Sequence, residues 1–501
     1  MSTAAEVSGA RPGKPPELHP RRWAALGVIA ISQLMVVLDA TIVNIALPSA
    51  RLDLGITEAD QQWVITAYTL AFGGLLLLGG RIADYWGRKR TFIVGALGFA
   101  AASAIGGLAT TGPLLFGARA LQGAFGALLA PASLALLTVL FTEAKERAKA
   151  FAVYGAIAGG GSAVGLLLGG VLTEYASWRW CLLVNIPIAL LALALAVPLV
   201  PESKAHGDTS YDVPGAVVVT LGLTSLVYGF TEAAKPDKGW GSLTTWAFIG
   251  GGLVLLVVFV LIERASKNPL LPLRIVLDRN RGGAYLTSML VGAGLFGAFL
   301  FLTLFLQNVL LYTPLKAGFA SLPVTVGVLI SATVASNLLP RIGPKPLMMV
   351  GPVLAAIGMF SLRFIDVDTS FWAHLMPAQV LLGLGLGFTF VPLSSLALVG
   401  VPEHDAGAAS AALNATQQIG GSLGTALLNT IATSAITAYI ASHLIAGRPT
   451  PQVALEAQVD GYADAFTWAA GMILLAGIIT ALVIKVDKDE LPTGENAVHV
   501  G

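Results

Sequence analysis

Apolar residues gather into runs about as long as the roughly 20 residues a helix needs to cross a bilayer. Seven such runs lie near 23–47, 61–82, 91–110, 113–139, 148–171, 180–200 and 213–232. Seven more follow near 243–262, 283–309, 315–339, 347–365, 371–400, 406–440 and 463–484. The pattern predicts an all-α polytopic membrane protein with about fourteen transmembrane helices. A cleaved signal peptide ending at Ala50 fits less well, because the first apolar run is too long and the chain re-enters the membrane many times.

Charge placement sets the orientation. With the N-terminus in the cytoplasm, about 21 Lys and Arg fall inside and about 7 outside, with Arg119 within a span, and an even helix count returns the C-terminus to the same side. Residues 1–21 and 486–501 read as cytoplasmic tails. Trp178, Trp180, Trp240, Trp246 and Trp372 fall near span ends, where interfacial aromatics belong. Composition agrees: of the 501 residues 55% are hydrophobic and 11% charged, with a mean hydropathy of +0.79. A soluble domain carries about 25% charged residues, so a soluble enzyme is excluded. A formal charge of +1 offers nucleic acid no basic face. Cys181 is the single cysteine and stands in no ligand cluster, and the His are scattered, so no metal or cofactor is expected.

Two short matches suggest an internal repeat. Trp86-Gly87-Arg88-Lys89-Arg90 with Gly95 resembles Ile342-Gly343-Pro344-Lys345-Pro346 with Gly351, at an offset of about 256. Gly160-Gly161-Ser162 resembles Gly420-Gly421-Ser422 at about 260. Six spans occupy roughly 180 to 190 residues, so about 70 extra residues separate the halves. The expected organisation is two pseudo-symmetric six-helix bundles, 22–200 and 281–485, around a two-helix insert and cytoplasmic linker at 201–280.

Some side chains are costly where they lie. Asp39 is inside the first span, where an acid costs about 2.5 to 3.5 kcal/mol. Low dielectric favours the neutral form of an isolated carboxyl, which makes Asp39 a candidate proton carrier; a permanent hydrogen bond to a neighbouring helix is the structural alternative. Helical geometry puts Ser32, Met35, Asp39 and Ala46 on one stripe and Gln33, Ala40 and Asn44 on another. Arg119 shares a face with Gly123, Gly126 and Ala130 and stays charged when buried, so it can partner a nearby acid. Helix five is dense in glycine at 155, 159, 160, 161, 165, 169 and 170, which suits close helix contact. Gln122, Asn185, Gln307, Asn308, Asn414, Gln417 and Gln418 suit a wet cavity or interhelical hydrogen bonds. Phe296, Phe299, Phe301 and Phe305 are read chiefly as core or lipid-facing.

The segment Gly79-Gly80-Arg81-Ile82-Ala83-Asp84-Tyr85-Trp86-Gly87-Arg88-Lys89-Arg90 makes a tight charged turn. It resembles the G-x-L-A-D-x-x-G-R-K/R signature of the major facilitator superfamily, with Tyr85 where many relatives have Arg. Leu38 to Pro48 resembles the first-helix motif of the fourteen-helix drug:proton antiporter branch. Trp63 with Tyr68, Arg119 with Gln122-Gly123, and Ser177-Trp178-Arg179-Trp180 with Asn185-Ile186-Pro187 fit the same branch. Gly161 to Gly170 looks like its helix-five antiporter motif, with Gly161, Gly165, Gly169 and Gly170 in place but Leu166 where Pro is usual.

The resemblance implies two bundles rocking about a central cavity. Asp39 and Arg119 would couple protons, and Gly80, Asp84, Gly87, Arg88, Lys89 and Arg90 would form a switch loop touching the second bundle. Gln33, Asn44, Trp63, Tyr68, Gln122, Asn185, Gln307, Asn308, Asn414 and Gln417 would line or approach the cavity. The function this implies is proton-coupled export of hydrophobic or amphipathic drugs by a monomer in the bacterial cytoplasmic membrane, without ATP, since no G-x-x-x-x-G-K loop is present. A dedicated exporter of one metabolite or antibiotic and a non-transporting sensor remain as alternatives. A membrane enzyme would need clustered nucleophiles, His or metal ligands within spans, and none is evident.

Overall fold

The computed structural model describes residues 20–486 except 142, 205–211, 236, 267–268, 398–400, 402–405 and 445–447. The tails expected at 1–21 and 486–501 lie almost wholly outside the described residues. Thirteen helices are long and apolar enough to cross a membrane. In chain order they are α1 Arg22–Leu54, α2 Trp63–Trp86, α3 Arg88–Gly107, α4 Gly112–Leu140, α6 Trp180–Leu199, α7 Val213–Ala234, α8 Leu243–Ala265, α9 Arg279–Val309, α10 Pro314–Ile342, α11 Pro344–Phe364, α12 Phe371–Leu396, α13 Ala406–Ser442 and α14 Pro451–Val483. The 32-residue α5, Ala144–Tyr175, packs among them as the fourteenth.

Helix ends outrun the apolar runs. α1 continues through Pro48 to Leu54 and closes on Gly55, whose φ of 61° is the left-handed conformation of a helix C-cap. α14 begins at Pro451, well before the expected 463, because Thr450 Oγ1 caps it by accepting from Val453 N at 3.2 Å. The first turns carry Glu456 and Asp460, which hydropathy reads as loop although the helix simply extends past the apolar zone.

The two halves repeat one packing plan. α1 packs on α5 as α9 packs on α13; α2 and α3 pack on α4 as α10 and α11 pack on α12; α1 and α3 meet α6 as α9 and α11 meet α14. The matched turns correspond as well: Gly87 (φ 127°) joins α2 to α3 and Gly343 (φ 78°) joins α10 to α11. Both positions need the backbone freedom of glycine. The halves meet where α2 packs on α13 and α5 on α10.

The insert stands outside this plan. α7 packs on α2 and α13, tied by Gln62 Nε2 donating to Thr231 Oγ1 at 2.7 Å and Thr430 Oγ1 donating to the Phe230 carbonyl at 2.7 Å. α8 leans on α7 and exposes Trp246, Leu253, Val254, Val257 and Leu261, as a lipid-facing helix should. Trp180, Trp240, Trp246 and Trp372 are exposed, but Trp178 is only 6% exposed. Its indole N–H donates to Asp53 at 3.0 Å, so it is an internal strut rather than an interfacial anchor.

Candidate functional site

The two stripes read on α1 have different fates. Ser32, Met35, Asp39 and Ala46 are buried within the first bundle, while Gln33, Ala40 and Asn44 line a central cavity of about 1680 Å³. A buried charge and a cavity-lining face therefore sit on one helix, on opposite sides of a protein wall.

Behind that wall Asp39 is fully buried. Its Oδ2 accepts from Arg119 Nη1 at 2.6 Å, and its Oδ1 accepts from Gln122 Nε2 at 3.0 Å and Asn185 Nδ2 at 2.8 Å. Arg119 also donates to the Val64 carbonyl at 2.9 Å and to Gln122 Oε1 at 2.8 Å, and Gln122 donates to Ser103 Oγ at 2.7 Å. Six helices thus converge on one carboxylate of α1: α4 and α6 bond it directly, α2 and α3 through Arg119 and Gln122, and α5 packs on α1. A charge in low dielectric is tolerated when paired and hydrogen-bonded, and the removal of one partner is costly. Asp39 is not the isolated acid that its sequence setting suggested: three donors meet its two oxygens.

Glycines make this convergence possible. A Cβ on Gly123 would collide with the Tyr68 carbonyl, so α4 lies backbone-close to α2 and brings Arg119 under α2. Gly161, Gly165 and Gly169 lie against Val37, Thr41 and Ile42 and seat α5 along α1, while Gly170 abuts Leu315 of α10. α5 is continuous from Ala144 to Tyr175 with Leu166 buried within it, so the backbone N–H that Pro would lack is kept at that position. Side chains at 155 and 159 lie outside the described residues.

Tyr68 forms the wall itself. Its ring lines the cavity, is 2% exposed, carries the Arg119 guanidinium 4.5 Å from its centroid and stacks on Phe72 at 5.8 Å. Elsewhere the cavity presents Tyr154, whose hydroxyl donates to Gln33 Oε1 at 2.7 Å, with Asn414, Gln417, Gln418, Phe296, Phe299 and Phe390. Among the described residues its charged lining is Arg81, Asp84, Arg88 and Arg274 at the mouth. Apolar walls with a few polar groups suit a drug-sized ligand.

Other expected cavity residues sit elsewhere. Gln122 and Asn185 serve Asp39; Trp63 packs with Leu70, Leu223 and Val227 against α7; Asn308 sits beside Tyr462 of α14. Gln307 donates to the Ile45 carbonyl at 3.0 Å across the two halves. Phe301 and Phe305 are buried core, whereas Phe296 and Phe299 face the cavity.

The cavity opens at the α2–α3 end. There Asp84 Oδ1 accepts from Arg88 Nη2 at 2.8 Å, and the turn is tied to the end of its own bundle: Arg88 N donates to the Ser203 carbonyl at 3.0 Å and Lys89 Nζ to the Val197 carbonyl at 2.7 Å. Arg90 lies 3.7 Å from Glu202. In this open-mouthed state the Asp84 carboxylate pairs within its own turn, where the family resemblance implied that the loop touches the second bundle in one access state. Gly80, Asp84 and Arg88 line the mouth instead.

The opposite end is closed by bonds the sequence did not single out. Gln61 Nε2 donates to Asn429 Oδ1 at 3.2 Å, Asn429 Nδ2 to the Glu58 carbonyl at 3.0 Å, and Leu315 N to Glu174 Oε2 at 3.0 Å. Thr69 and Ser422 hydroxyls meet at 2.7 Å nearer the middle. Their only signal was a pair of glutamines just ahead of a span.

Comparison with known proteins places this architecture. A bacterial homologue of the human lysosomal transporter Spinster, in an inward-facing unoccupied conformation, superposes with a TM-score of 0.64 over 95% of this chain and 99% of its own, at 14% identity. The puromycin resistance protein of Streptomyces alboniger is 50% identical over 93% of this chain and 92% of its length. The cephamycin export protein of Amycolatopsis lactamdurans is 36% identical over 95% of both, and the tetracenomycin C resistance and export protein of Streptomyces glaucescens is 33% identical over 84% of this chain and 77% of its own. With the family's pattern matched over residues 29–425, this multi-pass membrane protein belongs to the Major Facilitator Superfamily.

Proposed function

We propose that the protein is a proton-coupled exporter of hydrophobic or amphipathic antibiotics and drugs, working as a monomer by alternating access in the bacterial cytoplasmic membrane with both termini inside. The observation that carries this reading is the juxtaposition of a roomy, mostly apolar cavity with the buried Asp39–Arg119 pair, separated by the Tyr68 ring. The charge-dense α2–α3 end is assigned to the cytoplasm by its Lys and Arg, which makes the open mouth inward-facing. Residues 22–200 and 281–485 are the two rocking units, with 201–280 as insert and linker.

In this mechanism the cavity loads substrate from the cytoplasm while Asp39 is ionised and held by Arg119, Gln122 and Asn185. A proton reaching Asp39 after the switch to the outward-facing state removes the charge that those donors were arranged to meet. Arg119 is then left with the Tyr68 ring, the Val64 carbonyl and Gln122 that it already touches, α1 and α4 lose their clamp, and the cavity wall shifts so that substrate leaves. Loss of the proton to the cytoplasm restores the clamp. Differential affinity of the two states for proton and substrate moves the equilibrium. One charge crossing 100 mV supplies about 2.3 kcal/mol, enough at 1.4 kcal/mol per decade for roughly a forty- to fiftyfold gradient.

A dedicated exporter of one antibiotic is the second reading, favoured by relatives each named for a single compound. Purified protein in proteoliposomes, with internal pH followed as puromycin and then an unrelated lipophilic dye are added, tests both readings. Proton movement with both compounds supports a broad exporter, movement with puromycin alone supports the dedicated one, and substrate flux with no proton movement refutes coupling.

A further inference from the structure

Asp212 and Glu263, at the α2–α3 end of the insert, have no part in the site above. Asp212 caps α7, its Oδ1 accepting from Gly215 N at 2.8 Å, and Glu263 in the last turn of α8 accepts from Leu271 N through Oε2 at 3.0 Å. Their side chains are buried, at 7% and 3% exposure. Each is left with one buried oxygen that meets no donor, Asp212 Oδ2 and Glu263 Oε1, and the two carboxyl groups lie within hydrogen-bonding reach of each other.

No described cation answers them. Arg81 donates to the Pro269 carbonyl, Arg281 lies on Asp278, Arg88 pairs with Asp84 and Arg264 is exposed. Among the described residues no third acidic, His or Cys side chain joins them as a metal ligand set would require. Two buried carboxylates in contact cannot both stay ionised, and one proton between the orphaned oxygens satisfies both.

We propose that Asp212 and Glu263 form a second proton-binding site, in which one shared proton bridges Asp212 Oδ2 and Glu263 Oε1 and fastens the linker to the insert at the cavity mouth. Glu263 holds Leu271, while the adjoining Pro269, Leu270 and Leu273 line the cavity and Pro269 takes Arg81 from α2. When the shared proton leaves, like charges repel, Glu263 swings towards solvent and Leu271 is released. The linker is therefore fastened below the pair's upper titration step and loosened above it; that step belongs to the pair rather than to either residue. The insert then acts as a pH-sensitive stay on the mouth, and this holds whether or not Asp39 couples transport.

The test uses the full chain in lipid and does not read transport. Hydrogen exchange of peptides covering 269–273, corrected for intrinsic rates, is followed from acid to alkaline pH, with infrared difference spectra of the carboxyl C=O band. Wild-type protection should fall by about tenfold through the step, as expected for loss of a hydrogen bond to a charged group, together with loss of a protonated-carboxyl band. Glu263→Gln, whose amide donates to Asp212 while its oxygen still accepts from Leu271, should keep the protection at every pH and lack that band. Asp212→Asn should do the same, and Glu263→Ala should be unprotected throughout. Protection that ignores pH in wild type, or that titrates unchanged in the Gln and Asn variants, would overturn the proposal.

Discussion

In the first bundle α1 carries Asp39 against Arg119, Gln122 and Asn185; in the second, the helix at the same place in the packing, α9, carries Phe296, Phe299, Phe301 and Phe305. Phe301 meets the tilted ring of Tyr462 at 5.7 Å and the edge of Phe466 at 6.5 Å, so this helix packs into its bundle through aromatic rings where α1 packs through an ion pair. α12 and α13 contain no Asp, Glu, Lys or Arg at all. Duplication of the scaffold thus does not carry duplication of its chemistry. Backbone-close glycines are shared because packing requires them in both halves, whereas among the described residues of the two halves the buried charge is confined to the first, on a helix whose other face lines the cavity.

Predictions that break this comparison run from the charged half to the seam. Arg119→Leu strands the Asp39 carboxylate in low dielectric; removal of one partner of a buried pair costs about 3 to 5 kcal/mol. Thermal unfolding in detergent should show that loss, and Asp39→Leu/Arg119→Leu together should recover much of it. Recovery of transport by the double variant would contradict a coupling role.

Glycine substitutions probe the shared packing. Gly420→Ala drives a methyl into the Met289 carbonyl of α9, while Gly165→Ala on the corresponding helix meets the Thr41 hydroxyl first. Overpacking costs about 1 to 3 kcal/mol, and the second-half variant should sit at the upper end because backbone cannot turn aside as a hydroxyl can. Equal losses in the two would mean that the helices slide apart with similar ease.

Phe299→Ala should weaken substrate binding roughly tenfold by removing apolar contact worth on the order of 1.5 kcal/mol, with the pH dependence of transport unchanged, as measured by equilibrium dye binding and flux. Gln307→Ala should have the smallest effect, about 0.5 to 1.5 kcal/mol from one interbundle hydrogen bond to the Ile45 carbonyl. Its readout is increased labelling of a cysteine introduced at the closed end, and unchanged labelling would remove Gln307 from the seal.

What the sequence made legible follows from distances along one helix. Alternation on α1 separated Asp39 from Gln33 and Asn44 because side-chain direction within a helix is fixed by a 100° step. Glycine spacing on α5 likewise announced a close neighbour, and Gly87 and Gly343 marked the repeat. Which acid meets Arg119 was not legible, because pairing depends on the rotation and depth of separate helices that no local pattern encodes. Gln61 and Asn429 were missed for a related reason: a polar residue at a span end reads as wetted until the opposite bundle is placed on it. Ser103 in a run of alanines reads as filler, although its hydroxyl oxygen accepts a hydrogen bond from Gln122 Nε2. The departure of α5 from its motif was legible too, since Leu166 stands where Pro is usual and the helix runs on through it.

The most direct test of the central claim separates exchange from accumulation. Asp39→Asn retains the shape of the pair and leaves Arg119 its bonds to Val64 and Gln122, so substrate should still bind and exchange across a proteoliposome membrane. With an imposed pH gradient the wild type should drive substrate uphill and the variant should only equilibrate it. Uphill transport by Asp39→Asn at the wild-type rate would contradict the account and place the proton elsewhere.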